Sequence, residues 1–204
     1  MKVVIIGGVA GGATAAARIR RLDEKAEIIV FEKSGYVSYA NCGLPYYIGG
    51  VIQNKEELTL QTPESFWKRF QITMKVRHEV TGIFPERKTV AVKNLDTGES
   101  FEEVYDKLLI FSGAKPVWPK LPGTDLDNLF TLRTVEDTLK IREFVEKKQP
   151  KSAVLAGGGY IGLELAENLR ELGLDVTIVQ RPKQLMNPFD GDMAAFVHAK
   201  MRSR

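Results

Sequence analysis

The chain has 204 residues, 44% of them hydrophobic and 27% charged. That length buries a sizeable core and admits one large domain or two small ones, and the composition is that of an ordinary globular protein. A net charge of +3, with the basic residues spread along the chain, points away from nucleic acid as a partner.

Lys2, the apolar run after it and Ala15-Ala16-Ala17 loosely mimic a secretory signal. Four glycines interrupt the run, however, and a strand–turn–helix reading accounts for each of them. Residues 3–6 are all apolar, as expected of a parallel strand buried on both faces. Residues 7–12 form a glycine-rich turn. Residues 13–22 read as a helix with small residues on one side and Arg18, Arg20 and Arg21 near its negative end. Residues 27–31 make the next strand, which ends at Glu32. Residues 34–50 read as a Gly/Pro/Tyr-rich loop carrying Cys42, and residues 63–70 as a short helix with Thr62 as N-cap and Pro63 in first position.

Alternating short strands follow at 72–76, 79–84, 89–94 and 100–105, with a turn at Asp96-Thr97-Gly98. Residues 107–111 form another buried strand, broken by Ser112-Gly113-Ala114. Residues 115–125 hold three prolines and a glycine and read as a connector. Residues 134–148 form an amphipathic helix. The opening pattern then repeats: strand 153–156, turn 157–162, helix 163–172 and strand 176–179, before a further helix starts at 192. No later stretch reaches the length of a membrane span, so no membrane partner is expected.

The two turns differ. Gly157-Gly158-Gly159-Tyr160-Ile161-Gly162 matches G-x-G-x-x-G after a strand and before a helix. There Gly157 permits a tight turn, Gly159 close approach to a pyrophosphate, and Gly162 close helix packing. A purely packing turn is the plainer reading of the same glycines. The first turn has Val9 where the middle glycine would stand, followed by Gly11 and Gly12. Glu32, at the end of the next strand, fits as the carboxylate for a ribose diol. The corresponding position in the second unit is Gln180-Arg181, without an acid. Arginine there leans towards NADPH or dual use, although Arg181 also reads as a plain surface residue.

Cys42 is the chain's only cysteine, which excludes an internal disulfide and any cysteine-rich metal site. A free thiol suits a reducing compartment, so a cytoplasmic location is expected. Lone cysteines are commonly small core residues. Ser38, Asn41, Gly43 and Pro45 around this one make poor core context. His78 and His198 have no ligand-like spacing, so no metal site is expected.

Three runs carry a family resemblance: Val4-Ile5-Ile6-Gly7-Gly8-Val9-Ala10-Gly11-Gly12, Asn41-Cys42-Gly43-Leu44-Pro45-Tyr46, and Leu60-Gln61-Thr62-Pro63-Glu64-Ser65-Phe66. They resemble the single-cysteine branch of the flavoprotein disulfide reductases, and within it the enzymes acting on coenzyme A disulfide. Residues 107–114 likewise resemble the family's strand before the connector, and the resemblance runs from residue 1 to about residue 197. It implies FAD on the first unit, held by Gly7, Gly8, Val9, Ala10, Gly11, Gly12, Glu32, Lys33 and Gly113. It implies NAD(P)H on the second, held by Gly157, Gly159, Tyr160, Ile161, Gly162, Gln180 and Arg181. Electrons then run from NAD(P)H through flavin to Cys42, which alternates between a thiolate and a mixed disulfide with coenzyme A. Thr14, Arg18, Arg21, Ser38 and Asn41 would contact coenzyme A. Some relatives carry a lysine where this chain has Phe70.

The resemblance also implies a chain truncated at its C-terminus. Relatives continue well past Arg204, with the rest of both cofactor domains and a domain through which they form homodimers. The expected fold is α/β, with two Rossmann-like three-layer dinucleotide-binding lobes, a small antiparallel insertion in the first, and an incomplete second lobe. Residues 1–114 would be the FAD domain, 115–150 a connector and helix, and 151–204 the start of the NAD(P) domain. Two alternatives stay open. One is an NADH oxidase or peroxidase working through a Cys42 sulfenic acid; the other is a dinucleotide-binding fragment without independent activity.

Overall fold

The computed structural model describes residues 1–119 and 121–203. They fall into two compact units. The first comprises Met1–Asn41, Glu56–Val117 and Thr134–Glu136, and the second Cys42–Lys55, Trp118–Arg133 and Asp137–Arg204.

The first unit is built on a parallel sheet in the order β3-β2-β1-β7 (Thr73–Lys75, Glu27–Phe31, Lys2–Ile6 and Lys107–Ile110). Alternation along β1 and β2 sends side chains to both faces. Val3, Ile5, Ile28 and Val30 meet Ala13 and Ala16 of α1 (Ala10–Leu22) and Phe66 of α3 (Pro63–Phe70). Val4, Ile29 and Phe31 point the other way, onto Val90, Val92 and Phe101 of an antiparallel sheet. That sheet is β4-β5-β6: His78–Phe84, Thr89–Asn94 and Ser100–Val104. Helices, parallel sheet and antiparallel sheet thus form three layers, as the sequence led us to expect.

The second unit contains α2 (Leu44–Ile48), most of α4 (Val135–Lys148), the parallel pair β8 and β9 (Ser152–Ala156 and Asp175–Val179), α5 (Tyr160–Glu171) and α6 (Gly191–Arg202). Its core joins Ile48, Ile141, Leu165, Leu169 and Leu174, with Ala153, Leu155 and Val176 packed on from the strands. Val154 and Val179, on the other face of the pair, are exposed. None of the described helices is long and apolar enough to cross a membrane.

Three sequence expectations need correction. Residues 73–75 do not join the antiparallel strands but pair in parallel with β2. Both glycine-turn helices begin about three residues early, at Ala10 and Tyr160, because the last glycine of each motif already lies in the first helical turn. And the loop at 34–50 contains a 3-10 turn, Asn41–Gly43, followed by α2. Five residues are too few for a helix to stand on propensity alone. Burial of Leu44, Pro45, Tyr47 and Ile48 is what holds it. The α3 boundaries are as expected, with Thr62 and Ser65 in a reciprocal capping box.

Arg20 ties the ends of two helices together. Its Nε donates to Phe70 O (2.7 Å) and Nη2 to Gln71 O (3.0 Å), at the end of α3. Nη1 donates to Glu24 O (2.6 Å), just past α1. Phe70 is the last residue of α3, and its carbonyl is one that the helix itself leaves without a partner. Lysine cannot reproduce the fork, so Arg20→Lys should lower stability by about 1–3 kcal/mol, read as a fall in urea midpoint.

Candidate functional site: two phosphate turns and a thiol

At the first turn Gly7 has φ +98°, and its N–H donates to Phe31 O (2.8 Å). A side chain there would press on the Phe111 backbone, whose carbonyl carbon lies 2.8 Å from the Cβ position. Gly12 sits directly over the Gly7 carbonyl, where a Cβ would collide. Val9 is the N-cap of α1 with φ −91°, so the middle motif position has no conformational need for glycine. No side chain caps α1, which leaves its first amides for a ligand.

Glu32 fixes this turn from the neighbouring strand end. Its Oε2 accepts from Gly8 N–H (2.7 Å) and its Oε1 from Ser34 N–H (2.8 Å). Each carboxylate oxygen has a second lone pair free, which fits a ribose diol. Ser38, at φ 48°, closes the turn by donating its N–H to Gly8 O (3.0 Å).

The second turn repeats this construction almost bond for bond. Gly157 has φ +118° and donates to Val179 O (2.8 Å), and Gly162 lies over the Gly157 carbonyl. Gly158 N–H donates to Gln180 Oε1 (2.7 Å), and Met186, at φ 50°, donates to Gly158 O (2.8 Å). Gln180 therefore occupies the place of Glu32. Its Nε2 donates to Gln184 O (3.0 Å), so both ends of the amide are engaged. Arg181 is exposed. Gly159 has no atom within 4 Å of its Cβ position, which leaves room for a pyrophosphate at that point. Tyr160 and Ile161, in the first turn of α5, are exposed.

Of the other expected cofactor residues, Lys33 is exposed and paired with Glu79 (2.6 Å), and Gly113 is exposed with φ +68°. Ala10 and Gly11 are exposed at the start of α1. Thr14, Arg18 and Arg21 follow at helical spacing on one exposed face of that helix. Ser38 is half-buried, and Asn41 opens the 3-10 turn that carries Cys42. The thiol itself is exposed, in keeping with its poor core context.

Two supporting residues were not visible in the sequence. Glu136 Oε1 accepts from Gly35 N–H (2.8 Å) across 101 positions, bracing the loop that follows Glu32. Arg142 stacks on the Tyr47 ring (4.2 Å) and donates to Tyr47 O (2.8 Å) and Ile52 O (3.3 Å), which secures the segment after Cys42. No local pattern signals either contact.

Two strand–turn–helix–strand cradles of one design define an α/β dinucleotide-binding protein. The whole chain, residues 1–204, matches the model of the pyridine nucleotide-disulphide oxidoreductases, and it belongs to that family. It is 43% identical over 203 residues to the coenzyme A disulfide reductase of Staphylococcus haemolyticus, covering 100% of this chain and 46% of that protein. The reduced Bacillus anthracis CoADR-RHD structure superposes with TM-score 0.97 at 50% identity, over 99% of this chain and 36% of that one. An NAD-dependent persulfide reductase from A. fulgidus gives TM-score 0.93 at 37% identity, over 100% and 38%. The chain thus spans less than half the length of each.

The glycine environments separate packing from binding. Gly12→Ala and Gly162→Ala should each cost about 1–3 kcal/mol, because the added methyl meets backbone. Gly159→Ala should stay within about 0.5 kcal/mol of the parent in thermal unfolding.

Proposed function

We propose that the chain carries the electron-delivering part of a flavoprotein disulfide reductase, with FAD on the first turn and NAD(P)H on the second. The substrate class is coenzyme A disulfide or a related disulfide or persulfide, and the setting is cytoplasmic. Residues 1–114 serve as the FAD domain, 115–150 as connector and helix, and 151–204 as the start of the NAD(P) domain. The paired cradles carry this reading, with a carboxylate at Glu32 in one and a neutral amide at Gln180 in the other. The coenzyme A disulfide and persulfide reductases among the similar proteins support it.

FAD, when bound, supplies the conversion of a hydride into the electron pair that a disulfide needs. The chain's residues bind and orient. Glu32 takes the ribose diol while the α1 amides face the pyrophosphate, with Gly7, Gly8, Val9, Ala10, Gly11 and Gly12 shaping the turn and Lys33 and Gly113 at its rim. Gly157, Gly159, Tyr160, Ile161, Gly162, Gln180 and Arg181 do the same for the nicotinamide dinucleotide. Thr14, Arg18, Arg21, Ser38 and Asn41 hold coenzyme A, the two arginines at its phosphates. The Cys42 thiolate attacks one sulfur of the substrate disulfide, forming Cys42–S–S–coenzyme A and expelling one coenzyme A thiolate. Two electrons then cleave that bond, restoring the Cys42 thiolate and releasing the second coenzyme A thiolate.

Purified chain incubated with FAD should show a bound-flavin visible spectrum, and mass spectrometry should find a coenzyme A adduct on Cys42. A Cys42 sulfenic acid instead would favour an oxidase or peroxidase. A colourless protein that cannot be reconstituted would overturn independent catalysis. Glu32→Ala should weaken FAD binding about tenfold, as loss of a charge-assisted contact predicts. Cys42→Ser should keep the flavin spectrum and lose all disulfide-dependent NAD(P)H oxidation.

A further inference from the structure

Asn168 is an anomaly in the middle of α5. It is 1% exposed, lies on α5 between the core residues Leu165 and Leu169, and its polar side chain is only half satisfied. Nδ2 donates to Glu164 O one turn back (2.8 Å), which fixes the orientation of the amide. Oδ1 is buried without a hydrogen-bond partner among the described residues. Such an orphan is costly and calls for a reason.

The reason lies on α2. Gly49, the C-cap of that helix, has φ −72° and ψ −6°, a conformation any residue adopts. It is therefore not a glycine for backbone freedom. A Cβ built on it would collide with Asn168 Oδ1 and come within 2.7 Å of Asn168 Cβ and Cγ. An added Cβ takes the place of one glycine Cα–H, so that C–H bond points at the amide oxygen. The contact is a Cα–H···O interaction, weak in itself but open only to glycine at this distance.

We propose that Asn168 is a positioning residue: its Oδ1 against Gly49 sets the register of α2 on the nucleotide-binding helix α5, and so places Cys42. Ile48 next to Gly49 packs on Leu165 and Leu169, either side of Asn168. Arg142 holds the carbonyls of Tyr47 and Ile52 from α4. Cys42 stands two residues before α2, and Gly49 one residue after it, so a shift at Gly49 moves the thiol with the helix. This inference rests on the reading of Cys42 as the redox thiol, but its test does not use turnover.

Because Cys42 is the only cysteine, alkylation by iodoacetamide reports on it alone. The added methyl of Gly49→Ala should force α2 off α5, loosen the 41–43 turn and speed alkylation at least about threefold. Asn168→Ala, which introduces no clash, should speed it about twofold and keeps the test available if Gly49→Ala fails to fold. In the double variant the new methyl still stands 2.7 Å from the Cβ that alanine keeps at position 168, so alkylation should be no faster than in Gly49→Ala alone. A folded Gly49→Ala variant alkylated at the parental rate would overturn the proposal, as would a double variant showing the product of the two single effects. A Cys42 that never forms an adduct with coenzyme A would instead overturn the functional reading and leave these rates as expected.

Discussion

The hydrogen bond from Gly8 N–H to Glu32 is the constraint from which the first site is built. A glycine-rich loop has many conformations to lose, and its amides are useful to a phosphate only if they are already aligned. The loop is pinned at three places: Gly7 to Phe31, Gly8 to Glu32 and Ser38 to Gly8. All three anchors lie on β2 or just beyond it. The strand that ends at Glu32 therefore also shapes the glycine turn. The Glu32 carboxylate has more acceptor sites than the two backbone amides use, which leaves lone pairs for the ribose diol proposed above.

The second unit shows what changes when the same framework carries an amide. Gln180 keeps the bond from the glycine N–H but brings no charge, and one of its two Nε2 hydrogens is donated within its own loop to Gln184 O. Two cradles with nearly superimposable bonding can thus present different electrostatics to their ligands. Val9 and Gly159 stand at one and the same N-cap position with nearly equal negative φ, −91° and −85°, and differ only in side chain. Glycine at that position serves clearance rather than backbone freedom, which is why the motif can depart there without damaging the turn.

Much of this was legible in the sequence because it is local. Most of the strands, both glycine turns, the place of Glu32 at a strand end and the Thr62 N-cap are set by short-range pattern and spacing. What escaped is set by tertiary contact. The helix α2 is five residues long and exists because four of them are buried. The strand Thr73–Lys75 has no signal distinguishing a parallel edge from a hairpin arm. Glu136 meets Gly35, and Arg142 meets Tyr47, only after the chain has folded back on itself. Asn168 reads in sequence as a polar residue of a helix, and only burial shows that its oxygen faces a glycine.

The central position of β1 has a consequence for synthesis. One neighbour, β2, follows it closely, but the other is β7, and the Lys2 amide reaches Asp106 across 104 positions. The Phe111 backbone then packs on Gly7, and Glu136 later braces Gly35. A glycine turn encoded in the first dozen residues therefore waits for well over a hundred more before its walls exist. At about 5–20 residues per second that is a delay of roughly 6–25 s on the ribosome. Until then the sheet's inner strand has an open edge, so this is the interval in which the nascent chain most needs protection from mispairing.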